Sequence, residues 1–142
     1  MTLHKKIFTL GVILLLTNII HAQDGASLFD AKCSACHVTT RPSDKSTLDA
    51  PPAMGVMRHV KMKYSTKDEA VKFISEYALN PQKSKAVCMP QKIKRFGLMP
   101  SQKGNVSKEE LQTIAGWMYE NFPPKGFHGM KKGRGKGCLN SH

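Results

Sequence analysis

Cys33-Ser34-Ala35-Cys36-His37 sets two thiols three positions apart and places an imidazole directly after the second. One turn of helix at that spacing brings both sulfurs to the same side of the chain. Three common uses of a cysteine pair leave part of this pentad unexplained. A thioredoxin-like redox pair needs a surrounding βαβ pattern, which the flanking sequence lacks, and has no role for the trailing His. A zinc site needs a second ligand pair, whereas Cys88 and Cys138 each stand alone. A plain disulfide between Cys33 and Cys36 leaves His37 with nothing to do.

Covalent haem attachment uses all three side chains. The two thiols add to the two vinyl groups of the porphyrin, and the adjoining imidazole reaches the iron from the proximal face. Iron held on both faces needs a second ligand further along. Met99 is the favoured candidate, in Phe96-Gly97-Leu98-Met99-Pro100 just before the last helix. Its thioether is soft and raises the reduction potential relative to a second imidazole. Pro100 restricts Met99 toward an extended backbone, and Gly97 lets the chain pass close to a ring. Met89 is the alternative, because Pro90 follows it as well, but no Phe-Gly precedes it. His59, read as lying in a loop, is a third option and would lower the potential instead. Met54, Met57, Met62 and Met118 read as core filler.

Outward from the pentad the pattern is helical, with no clear alternation of the strand type, and predicts an all-α domain. Asp24 can cap a short helix whose apolar residues are Ala26, Leu28, Phe29 and Ala31, ending at Cys33. Thr39 to Pro52 reads as loop, punctuated by Pro42, Pro51 and Pro52. Thr66 and Glu69 form a capping box ahead of Ala70, Val71, Phe73, Ile74, Tyr77 and Ala78, a run that Pro81 stops. Ser107 and Glu110 repeat the box, with Val106 and Leu111 placed to staple across it. The stripe Leu111, Ile114, Ala115, Met118 and Phe122 follows.

The ends of the chain read differently from its middle. Lys5 and Lys6, the apolar run Ile7 to Leu16 and the small residue Ala22 resemble a secretory signal, 1–22, cleaved after Ala22 to leave a domain over 23–122. The apolar run falls short of the roughly 20 residues a spanning helix needs. Residues 123–142 form a tail rich in Gly and Lys with few large apolar residues, too poor in apolar surface to order itself. Cys88 and Cys138 can pair in an oxidising compartment, stay as thiols, or link two chains.

The 142 residues carry a formal charge of +12. Lys5 and Lys6 are the only charges in the leader besides His, so its loss removes two and leaves +10. A balance this basic suits an acidic protein partner or an anionic membrane surface, and export to the periplasm disfavours nucleic acid.

Taken together, Gly25-Ala26-Ser27-Leu28-Phe29, the pentad, Ala50-Pro51-Pro52, Phe96 to Pro100 and Leu111 to Tyr119 resemble a class I cytochrome c over roughly residues 24 to 122. The resemblance implies one covalently attached haem c and a first helix crossing the last, with Gly25 and Phe29 against the face around Trp117. It also implies a loop proline whose carbonyl orients the proximal imidazole, here Pro51 or Pro52 for His37, although the family's usual preceding Gly is Ala50. The function implied is that of an electron carrier between redox partners, with no enzymatic step and no small-molecule substrate. Two other readings remain: a haem-bearing subunit of a larger oxidoreductase, and a sensor or enzyme with one iron face open.

Overall fold

The computed structural model describes residues 24–127. The leader 1–22, most of the tail and Cys138 lie outside the described residues. Five α-helices are present among them: α1 (Gly25–Lys32), α2 (Ala53–Lys63), α3 (Lys67–Leu79), α4 (Pro90–Phe96) and α5 (Lys108–Asn121). A 3-10 turn spans Lys83–Lys85, and no strand occurs in the described range.

Each of the three helices legible in the sequence starts on a side-chain cap. The Asp24 carboxylate accepts the Ser27 N–H at 2.9 Å. Thr66 with Glu69 and Ser107 with Glu110 form complete capping boxes, each satisfying two N–H groups that a helix start would otherwise leave without partners.

α5 is the element on which the others rest, packing against α1, α2 and α3. Its buried stripe is Leu111, Ile114, Ala115 and Met118. Against this, α1 sets Gly25, Leu28 and Phe29. The Phe29 ring lies 5.2 Å from that of Trp117 and 6.4 Å from that of Phe122, while Trp117 and Phe122 meet edge to face at 5.4 Å. The crossing that the family resemblance implies is therefore present.

α3 is joined to α5 by an ion pair, Lys67 with Glu120, whose side chains stay 47% and 61% exposed. A pair so exposed contributes about 0–1 kcal/mol. Complete burial of one residue such as Ile114 contributes about 1.5–3 kcal/mol, so apolar contact holds this interface and the ion pair adjusts it. The rings of Tyr64, Phe73 and Tyr77 stack in sequence, with centroids 4.8 and 5.5 Å apart, and Tyr64 and Phe73 pack against the core. Ser75, the one polar residue in the described core, bonds the Val71 carbonyl within its own helix at 2.8 Å.

Two helices carry no clear mark in the sequence. α2 occupies a stretch that reads as the continuation of a loop, so His59 stands on a helix. It has no side-chain cap at Pro52, and Gly55 and two valines dilute its helix propensity; what forms it is the buried face Ala53, Met57 and Val60. Met62, expected in the core, is 52% exposed. Five residues from Met57 it has rotated well off the buried face. α4 is only seven residues long and starts on Pro90 at a position where the missing N–H costs nothing.

Candidate haem-attachment site

The pentad prolongs α1 as a tight turn. The N–H groups of Cys33 and Ser34 both donate to the Phe29 carbonyl, at 2.8 and 3.0 Å, and the His37 N–H donates to the Cys33 carbonyl at 2.9 Å. The Ser34 hydroxyl fixes the turn further by donating to the Asp30 carbonyl at 2.6 Å. Cys33 is half-buried against the core and Cys36 is exposed. Burial, and next the neighbouring Cys36, push the Cys33 thiol above its ordinary value of 9.0, so at neutral pH it stays protonated and slow in thiol–disulfide exchange.

His37 is oriented from the far side of the following loop. Its Nδ1 lies 2.8 Å from the Pro51 carbonyl oxygen. A carbonyl only accepts, so Nδ1 holds the proton and the lone pair of the ring belongs to Nε2. The Pro52 carbonyl is engaged elsewhere, accepting the N–H groups of Gly55 and Val56 at 2.9 and 3.1 Å, and so begins α2. The two candidate prolines are thus distinguished by where their carbonyls go. A second bond, from the Ala53 N–H to the Val38 carbonyl at 2.9 Å, closes the loop beside the first.

Met99 lies in a segment pinned on its C-terminal side. The Ser101 hydroxyl donates to the Leu79 carbonyl at 2.6 Å and the Gln102 N–H donates to the Ala78 carbonyl at 2.9 Å. These acceptors belong to the last turn of α3, whose carbonyls have no partner within the helix. One pair of bonds therefore completes α3 and places the Met99 loop. Gly97, with φ of 75°, makes the left-handed turn that leads from α4 into it. Met99 is half-buried and packs against the same core as Cys33. Met89 is also half-buried, but it forms the cap residue of α4, its carbonyl accepting the Lys92 N–H at 2.8 Å.

Ser101 and Gln102 carry no mark in the sequence that reveals this anchoring. A polar pair directly after Met-Pro is the only signal, and its acceptors are more than 20 positions away.

The donor set fits a haem. Paired thiols on one turn, an imidazole with its outer nitrogen satisfied by a carbonyl, and a thioether on a separate loop pinned on its C-terminal side are the chemistry such a ring needs. Among the described residues no three of His, Cys, Asp and Glu gather to hold a metal ion, and no helix is long and apolar enough to cross a membrane.

The family model for cytochrome c matches residues 22–121. The chain belongs to the cytochrome c family. Membership carries covalently attached haem c and haem-based electron transfer. A protein of Aquifex aeolicus (strain VF5), described as uncharacterized, is 32% identical to this cytochrome over 127 residues, covering 80% of this chain and 84% of its own. No solved structure matches the cytochrome.

Proposed function

We propose that this cytochrome is an exported electron carrier with one haem, which Cys33 and Cys36 would fasten and whose iron His37 and Met99 would hold. The observation that carries the reading is the Pro51 carbonyl on Nδ1 of His37. It leaves Nε2 as the ring's only lone pair and makes the imidazole a stronger donor. When bound, the haem supplies a one-electron iron couple.

The chain's own residues do the rest. Cys33 and Cys36 fix the ring to the end of α1, and Pro51 keeps His37 from turning. Ser101 and Gln102 pin the segment that carries the Met99 thioether, so this side chain and His37 would move little when a bound haem changes oxidation state. The residues of the α1–α5 crossing keep bulk water from the interior.

The leader 1–22 sends the chain to the periplasm with cleavage after Ala22. The partners are redox proteins with acidic docking surfaces, met by Lys83, Lys85 and Lys94, all exposed; the same basic surface permits peripheral contact with anionic membrane. The far-red absorption band of ferric haem with a thioether ligand tests the assignment. It is expected to vanish in Met99→Ala and persist in Met89→Ala. Absence of the band from the unaltered protein would favour an open iron face and a sensor or enzyme instead.

A further inference from the structure

α4 is a weak support for the segment that follows it. It has seven residues and buries none of them completely, and a helix this short does not hold itself together in water. Beyond it, Gly97 meets no neighbour where a Cβ would stand, and Leu98 is 41% exposed. The bonds of Ser101 and Gln102 secure the Met99 loop on one side only. On the other side Arg95, in the last turn of α4, makes a long-range contact.

The Arg95 guanidinium donates through Nη2 to the Lys45 carbonyl, 50 positions away. That carbonyl otherwise accepts a long bond of 3.4 Å from the Leu48 N–H. The same guanidinium lies over the Phe96 ring at 4.7 Å, which fixes its plane from the residue that leads into Gly97. Asp44 stands close enough that Arg95 helps hold its carboxyl below the ordinary value, after the side-chain and backbone bonds from Ser46. Lys45 sits in the loop between His37 and Pro51. Arg95 therefore ties the segment carrying Met99 to the segment carrying the proline that orients His37.

We propose that Arg95 is a positioning residue for Met99, holding the Met99 segment closed by cross-linking it to the loop of His37 and Pro51. The inference rests on Met99 being the second axial ligand. Loss of the tether frees α4 and Gly97 to swing, and the thioether leaves iron more often without the domain unfolding.

Added imidazole competes with a thioether for ferric iron, and its apparent affinity scales with the fraction of molecules in which the loop is open. In Arg95→Gln that affinity is expected to rise about tenfold, followed as bleaching of the far-red band. Arg95→Lys, which keeps one donor but loses the planar fork, is expected to fall between, and Lys103→Gln, which removes an exposed charge on the far side of Met99 from Arg95, to match the unaltered protein. Equal affinities in the unaltered protein and in both Arg95 variants would overturn the proposal, as would an equal rise in Lys103→Gln. If Met99→Ala retains the band, the ligand assignment itself fails and the proposal with it, a result distinct from an unchanged titration in a protein whose band depends on Met99.

Discussion

Gly25 of α1 faces Trp117 of α5 so closely that a Cβ on the glycine would stand 2.3 Å from the Trp117 Cβ and 2.7 Å from the Thr113 carbonyl oxygen. Both obstacles are backbone or next to it, so neither can swing aside. Gly25→Ala must push the two helices apart where Phe29, Trp117 and Phe122 interlock. The expected cost is about 2 kcal/mol or more, seen as a fall in Tm of roughly 10 °C. An unchanged Tm would show that the crossing is looser than the structure has it.

The core itself is small, with Phe29, Met57, Ile114 and Val60 as its largest fully buried apolar side chains. A domain of this size leans on a bound group for part of its interior. Replacing Cys33 and Cys36 together by Ala is therefore expected to leave a chain without a cooperative thermal transition. A sharp transition, followed by circular dichroism, would show that the helices suffice alone.

The parts of the fold legible in the sequence are those in which the deciding interaction is local. Asp24, Thr66 and Ser107 each sit within three residues of the N–H they cap, so α1, α3 and α5 can be read directly. α2 depends on Ala53, Met57 and Val60 finding α5, and its start bears no capping side chain; the tertiary contact decides it. The Cys33, Cys36 and His37 chemistry is legible because five consecutive residues contain it. Pro51 and Pro52 are not separable in sequence, since only the start of α2 commits the second carbonyl to a helix. The Arg95 contact with Lys45 spans 50 positions and involves a main-chain acceptor, which leaves no pattern in side-chain identities.

His59 gives the stability a dependence on pH. It is half-buried on α2, and burial first, then the charges of Arg58 and Lys92, hold its pKa below the ordinary 6.5. The folded state thus binds a proton more weakly than the unfolded chain, so stability is complete above about pH 6.5 and declines as pH drops through the lower folded value. Urea unfolding at about pH 7.5 and about pH 5 is expected to show a smaller loss in His59→Gln than in the unaltered protein. Equal losses would place the effect on other groups.

Charge should govern encounter with a partner. Lys83, Lys85 and Lys94 are exposed on a strongly basic chain, of net charge +12 over the full sequence, and steering of this kind is screened beyond about 10 Å at 0.1 M salt. The bimolecular rate with an acidic redox protein is expected to fall tenfold or more, as an order of magnitude, from low to high ionic strength. A rate that stays flat would remove these lysines from docking.

A pyridine-haem spectrum of the protein, matured in a host that makes c-type cytochromes, tests the attachment most directly. One haem per chain, with a band position showing both vinyl groups converted to thioethers, is the expected result. A colourless protein whose Cys33 and Cys36 remain unmodified thiols would contradict it.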